Sequence, residues 1–485
     1  MQRILLIAAL VCGLGACQTV RQPPRIAMPA SFDGPGAGAA VSAVELDRWW
    51  LLYKDAQLNA LEDQAFRYSP DARTAAARLL EARATAASQT AQTLPTGSLK
   101  GDISRESAYQ LGGQSNSLLP IGGVTTSRTL NLNTSWELDL FGRLATERRI
   151  AKANLAASQF DIEGVRASLA ASVADNYFQA RGLAIQLADA EASAKIESEL
   201  ERVASAKAEH GLGAASDADR VAGDLSQAKA QVDSLGAQLH AAERQLLILV
   251  GRPFDPIADL PIDASVYDPP PTPAAIPGQL LARRPDVKES QAKFVGEAGT
   301  AKLKHLAIFP TFTLGPGGGV SSITQPGVGF IPPATLFPQQ QTTSLGFWTL
   351  AGSVSMPVLD IPRLLDDARA EDARTEQAAI AYEKTVQTAY GEAENALVTL
   401  TAAEAGASVL TEGEARAHRA YDAARQRFGM GLDDITATLS AEQAWRTTRS
   451  ALTSARVTAL RQSVATYKAL GGGWASTTTD IRIPQ

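Results

Sequence analysis

The chain states nearly the same message twice. The segment from Pro70-Asp71 to Leu94-Pro95-Thr96 recurs without a gap as Pro285-Asp286 to Phe309-Pro310-Thr311. Each copy runs from a Pro-Asp helix start, through an Ala-rich stretch, to a second proline that opens a strand. Later in each half comes a glycine-bracketed turn, His210-Gly211-Leu212-Gly213 and Phe428-Gly429-Met430-Gly431, followed by a long helical stretch. An internal repeat constrains architecture before anything else, and two copies are too few for a solenoid. The repeat predicts one pseudo-symmetric protomer built from two similar units.

The N-terminus predicts a compartment. Arg3, the apolar run Ile4 to Val11, and Leu14-Gly15-Ala16-Cys17 read as a secretory signal over residues 1–16. The apolar core is too short to span a bilayer as a mature helix. Ordinary cleavage after Ala16 wants a small residue at Leu14 as well. Leu, two small residues and Cys instead resemble the bacterial lipobox, in which Cys17 becomes the lipid-bearing (palmitate) first residue of the mature chain. Gln18 stands where an Asp would retain a lipoprotein at the inner membrane, which points to the outer membrane. Cys12 falls in the signal, so the mature chain keeps Cys17 alone. No intramolecular disulfide and no cysteine metal site is then available.

A formal charge of −6 and a pI near 5.5 argue against a nucleic-acid partner. No later segment holds a long uncharged apolar run, so no transmembrane helix is expected. Prolines are missing between Ile121 and Arg252 and between Arg363 and Ile483, and such intervals are what very long helices need. From Arg143 to about Glu209, Ile162, Val165, Leu169, Val173 and Tyr177 recur at helical steps; at 1.5 Å per residue such a helix reaches roughly 100 Å. After the Gly211–Gly213 turn, Val221, Leu225, Ala228, Val232, Leu235, Leu239, Ala242, Leu246 and Leu249 form a heptad seam. The second half repeats the scheme from Arg363 to Arg427 and Asp433 to Leu470, with a seam at Val457, Leu460, Val464 and Tyr467. Two antiparallel helical hairpins with short Gly turns follow.

Strand signals are few. Ser98 to Glu106 and, more clearly, Thr129 to Leu138 alternate polar and apolar residues, joined by a Gly/Ser-rich loop from Tyr109 to Ser127. In the second half Thr311 to Leu314 and about Ser344 to Met356 read as strands, joined by a Gly/Pro-rich loop from Gly315 to Gln341. Four strands do not close a barrel, and an open edge is not viable in a membrane. If the strands span a membrane, several subunits must pool them. The other reading is a pair of hairpins in a small solvent-side sheet. The strands alone leave the two level; a lipidated chain with very long helices favours the barrel.

Several motifs then resemble the TolC-like outer membrane factors, and within them the lipoprotein branch of OprM/NodT-like efflux channels. The resemblance rests on Arg48-Trp49-Trp50 with Leu58 and Leu61, on Ser135-Trp136-Glu137-Leu138-Asp139-Leu140-Phe141-Gly142-Arg143, and on Leu249-Val250-Gly251-Arg252-Pro253. It also rests on Arg283-Arg284-Pro285-Asp286-Val287, Phe309-Pro310, and Tyr467-Lys468-Ala469-Leu470-Gly471-Gly472-Gly473-Trp474. It implies a mainly α fold with a membrane β-barrel: a homotrimer sharing a 12-stranded barrel with four strands per protomer, a long α-helical coiled-coil barrel and an equatorial domain. The implied division is 17–56 as a lipidated extended segment and the start of the equatorial region, 57–260 as the first repeat (β-hairpin about 97–139, helical hairpin 143–250) and 261–277 as a Pro-rich linker. The second repeat is then 278–470 (β-hairpin about 311–359, helical hairpin 363–470), and 471–485 a C-terminal tail.

The implied function is a passive outer-membrane exit duct for small molecules, with no enzyme activity and no cofactor beyond the lipid on Cys17. The implied partners are a periplasmic adaptor (membrane fusion) protein, a proton-driven inner-membrane pump and outer-membrane lipid. Family members meet the adaptor at the hairpin turns, which makes Gly211, Leu212, Gly213, Ala214, Ser216, Gly429, Met430, Gly431 and Leu432 contact candidates. Plain helix capping also accounts for the glycines. In the family an acid and an arginine past the second turn help hold the aperture shut. Aligned on Gly431-Leu432 these positions are Ser440 and Gln443, neither charged. Asp433 and Asp434, with Asp217 and Asp219 on the other hairpin, remain as candidate acidic rings of a gate; helix N-capping is the competing reading for each.

No enzyme signature competes. His210, His240, His305 and His418 are scattered without ligand spacing, and no phosphate or dinucleotide loop stands in context. A tethered coiled-coil scaffold would have no use for the alternating strands. A type I secretion channel of the same fold is a further alternative, against which the lipobox weighs.

Overall fold

The structure, a computed structural model, describes residues 21–33, 46–109, 122–211, 213–271, 277–331, 335–433 and 435–472. Cys17 and the signal segment lie outside the described residues. After a 3₁₀ turn at Trp49–Tyr53, the elements are α1 (Ala56–Tyr68), α2 (Pro70–Ala91), β1 (Thr96–Tyr109), β2 (Gly122–Leu138), α3 (Arg143–Glu209) and α4 (Ala215–Leu249). The second half supplies α5 (Pro277–Arg283), α6 (Pro285–Leu306), β3 (Thr311–Ile331), β4 (Thr335–Ser355), α7 (Ile361–Gly429) and α8 (Ile435–Ala469). α3 has 67 residues and α7 has 69. Neither contains a proline beyond the first turn, so no backbone hydrogen bond is lost along them. No helix among the described residues is long and apolar enough to cross a membrane.

The chain forms two compact units. One is built chiefly from Ala82–Leu155 and Lys293–Ala378, the other from Pro24–Glu81, Ala156–Ala292 and Ala379–Gln485. The first holds the sheet, four antiparallel strands in the order β1-β2-β3-β4. Both expected loops are shorter than their composition suggests. β2 already begins at Gly122, and the expected loop from Gly315 to Gln341 is corrected outright. β3 runs on to Ile331 and β4 begins at Thr335, so most of that Gly/Pro-rich stretch is strand. The reason is steric. A Cβ at Gly319 would lie 2.4 Å from Asn131 Oδ1 and 2.6 Å from the Leu130 carbonyl, with the Phe347 ring at 3.1 Å. The glycine is the groove that lets neighbouring strands and an aromatic ring approach. Pro316 has no N–H to give, and the β2–β3 ladder skips there, from Asn133↔Gly317 to Trp136↔Leu314. The Thr134 hydroxyl donates to the Pro316 carbonyl across the gap.

In the second unit α3 and α8 run antiparallel. Arg461 pairs with Asp175 at 2.7 and 3.0 Å, Gln186 donates to Ser454 at 3.1 Å, and Arg449 meets Asp189 at 2.5 Å. No seam position of α4 is exposed, and all four of α8 are buried. One core cluster gathers Trp49, Trp50 and Tyr53 with Leu58, Leu61, Tyr177, Phe178, Leu246, Leu460 and Tyr467. Trp49 stacks on Tyr467 at 5.7 Å and 5°, which accounts for the opening and closing motifs together. Asp55 is the hub beside it. It caps α1 by accepting from Gln57 N and Leu58 N, and it accepts from Arg181 at 2.5 Å, Tyr177 at 2.8 Å and Tyr267 at 3.2 Å. Burial first, and contact with Asp55 next, push the Tyr177 phenol well above its ordinary range. The Arg283-Arg284-Pro285-Asp286 motif works similarly: Arg284 joins Asp286 and Glu392, each at 2.7 Å, and donates to the Ala469 carbonyl at 3.2 Å.

Candidate functional site

Two places have the character of a site. The first is the sheet face. Alternation along paired strands and the observed register put Leu99 and Ile103 of β1, Leu130, Leu132 and Trp136 of β2, Leu314 and Val320 of β3, and Trp348, Leu350 and Val354 of β4 on one face. Among the described residues nothing covers most of it: Trp348 is 82% exposed. The opposite face carries Lys100, Asp102, Asn131, Asn133, Thr313 and Ser321. An apolar face of this extent marks contact with lipid or protein. The outer edges of β1 and β4 have no strand partner among the described residues.

The strand-to-helix motif is built to turn the chain out of this sheet. Asp139 accepts from Leu144 N at 3.1 Å and Ala145 N at 2.8 Å, so it caps α3. Arg143 bridges Glu137 and, at 2.8 Å, Glu147. Phe141 stacks on Phe309 at 5.0 Å.

The second place is the pair of hairpin tips. Gly211 and Gly431 take φ of +72° and +73°, the left-handed geometry that ends a helix and that side chains resist. Gly211, Gly213, Ala214, Ser216, Gly429, Met430, Gly431 and Leu432 are all exposed, with the apolar Met430 at 66% and Leu432 at 65%. Leu212 and Asp434 lie outside the described residues. Ser440 and Gln443 are exposed on the second turn of α8 and the one after it.

The acids behave differently from a plain ring or cap. Arg427 grips Asp433 through two hydrogen bonds of 2.6 and 2.9 Å across the turn. That guanidinium holds the Asp433 carboxyl below the usual carboxylate range, so its charge is answered within its own tip. Ala214 occupies the N-cap of α4, with no side-chain cap. Neither Asp217 nor Asp219 therefore caps that helix. Asp217 sits in the first turn, where the helix dipole favours it.

Two features are not apparent from sequence. Lys207 of α3 lies over the Phe428 ring of α7 at 4.4 Å, joining the two tips. Above them Glu197 of α3 and Glu442 of α8 are both buried beside Arg446. The flanking of the Gly turn by Arg427 and Asp433 is visible in the sequence; the burial of Glu442 is not, since nothing local distinguishes it from its neighbours.

The comparisons with known proteins agree with this geometry. The outer membrane efflux protein family model matches residues 61–252 and 276–472, both repeats. The chain belongs to the outer membrane efflux protein family. That family consists of passive outer membrane channels rather than enzymes, and this member is an outer-membrane efflux component. It is 27% identical to the pyoverdine export outer membrane protein OpmQ of Pseudomonas putida over 97% of this chain and 98% of that one. It is 26% identical to the solvent efflux pump outer membrane protein SrpC of Pseudomonas putida, over 95% and 96%. The fold is that of the outer-membrane channel OprN, with a TM-score of 0.76 over 94% of this chain and 100% of OprN at 24% identity.

Proposed function

We propose that three copies of this protein pool their sheets into one 12-stranded barrel and their helical hairpins into a periplasmic tube, forming the exit duct of a tripartite efflux system. The observation that carries this reading is the open four-stranded sheet with one largely apolar face, bounded by a polar row of Arg128, Ser322 and Ser344. Such a sheet is incomplete in lipid until its edges are closed. A lipid on Cys17 anchors the chain to the outer membrane. A periplasmic adaptor docks on the tips around Gly211 to Ser216 and Gly429 to Leu432, where Met430 and Leu432 offer exposed apolar contact. A proton-driven inner-membrane pump supplies the energy. The division into residues 57–260 and 278–470 gives each trimer six near-equal staves. Relatives are named for pyoverdine export and for solvent efflux, which supports a duct whose cargo is chosen by the pump.

The tips close the resting tube. With Ser440 and Gln443 uncharged, the acids at Asp217, Asp219, Asp433 and Asp434 line the constriction, Asp433 least because Arg427 answers its charge. In planar bilayers the purified protein is expected to form channels of low resting conductance. Replacing Asp433 and Asp434 together by Asn is expected to raise conductance and weaken block by divalent cations. An unchanged conductance and block would remove these acids from the gate, and no channel at all would remove the duct.

A further inference from the structure

The tips do not account for the carboxyl pair above them. Glu442 of α8 is fully buried and Glu197 of α3 is 1% exposed. Both oxygens of Glu442 and Oε2 of Glu197 have no hydrogen-bond donor. One guanidinium serves both: Arg446 stands 3.3 Å from Glu442 and 3.8 Å from Glu197. Among the described residues the other titratable groups acting on the pair are Asp224 of α4 and Tyr421 of α7. Asp224 adds negative charge and Tyr421 adds none. Two ionised carboxylates against one cation therefore leave a buried negative charge uncompensated, a costly arrangement. One proton changes the balance. It cancels that charge, and the resulting carboxyl supplies a donor that the orphaned oxygens lack.

We propose that Glu197 and Glu442 form a proton-operated latch between α3 and α8, closed while the pair holds a proton and released when both carboxyls are ionised. The site lies where the latch has leverage. Glu442 is two turns into α8 and Glu197 about three turns from the end of α3, so the latch joins the first hairpin to the second just above the tips. The neighbouring α3–α8 pairs are ordinary ion pairs, with one acid to one arginine at Asp189–Arg449 and Asp175–Arg461. Only here, among the described α3–α8 pairs, do two acids share one arginine.

The direction of the pH dependence follows. Burial first, opposed by Arg446 and reinforced by Glu197, raises Glu442 to about 7; burial also raises Glu197. In the released seam both carboxyls meet water and titrate near about 4.3. The packed seam thus holds the extra proton between those values. Its advantage is full below the released-state value and is lost as pH rises toward 7.

The test is a distance. Spin labels at Ser198 and Ala444, both exposed on the flanks of the pair, are read by pulsed electron resonance on the full chain in lipid. One short, narrow distance is expected at pH 5.5. A longer component is expected to grow through pH 6 to 7, by up to about tenfold per pH unit, the limit for one proton. E442Q, which keeps the neutral state, is expected to stay short at pH 8.5, and E197Q serves the same purpose where E442Q does not assemble. A wild-type distance that ignores pH, or a pH response that survives in the Gln variant, overturns the latch. Its consequence for conduction rests on the duct reading, and bilayer conductance rising over the same pH range tests that. A protein that fails to conduct sinks the duct and leaves the distance measurement standing.

Discussion

Gly319→Val is expected to remove the assembled protein from the outer membrane. The substitution sets a branched side chain 2.4 Å from Asn131 Oδ1 and 2.6 Å from the Leu130 carbonyl, with Phe347 already at 3.1 Å. A carbonyl in a ladder has no room to yield. Overpacking of a fitted site costs about 1–3 kcal/mol in general, and a clash with backbone on a central strand falls at the upper end or beyond. Each sheet in the proposed trimer would carry the fault, so the loss is expected to be at least tenfold. It is read as the heat-resistant oligomer on semi-native gels and as protein in outer-membrane fractions. Gly346 of β4 is the control. A Cβ there meets nothing within 4 Å, and Gly346→Ala is expected to assemble normally. If Gly319→Val assembles as well as Gly346→Ala, the register of β2 against β3 is wrong.

Asp55→Ala is expected to destabilise the helical unit by about 4 kcal/mol. Breaking a buried ion pair from one side costs about 3–5 kcal/mol, because the remaining charge is stranded. Loss of an N-cap adds about 1 kcal/mol, although terms at one site are not additive. Arg181 is the stranded charge; its side chain is 7% exposed and Asp55 is 10% exposed. Its other contacts are Ser265, through both carbonyl and hydroxyl, and the rings of Tyr177 and Tyr267. Asp55→Asn keeps an acceptor for the cap and is expected to lose less. The measurement is denaturant unfolding of the purified protein, followed by tryptophan fluorescence at the Trp49–Trp50 core. An Asn variant as stable as the wild type would show that capping, rather than the buried charge facing Arg181, is what Asp55 supplies.

Much of this fold is legible in the amino-acid sequence, and the illegible parts share a cause. Leu130 to Leu138 alternates because each neighbour faces a different medium, and that signal survives without knowledge of its partners. The stretch from Gly315 to Gln341 hides its strands. Glycine belongs to neither side of an alternating pattern, and Pro316 and Pro326 read as turn residues. What makes the stretch a strand is the space its glycines leave for Asn131 and Phe347, and those lie in other strands. The long helices are legible from the absence of proline and from the heptad seam. At the tips the glycines mark the turns, yet the acids mislead. Asp433 reads as one of a free pair until Arg427 is seen closing on it from the other side of the turn. Glu442 is inconspicuous because an exposed and a buried glutamate look alike within one polar stretch of helix. Which polar face of α8 turns inward is decided by α3, more than two hundred residues earlier in the chain.

The central claim is that one chain holds a third of a barrel. The most direct measurement is the mass of the intact assembly, taken by native mass spectrometry after extraction from outer membranes. The account predicts a single species of three chains, each carrying the added mass of lipid on Cys17. A monomer as the dominant species, under conditions where the protein remains folded and membrane-derived, contradicts it.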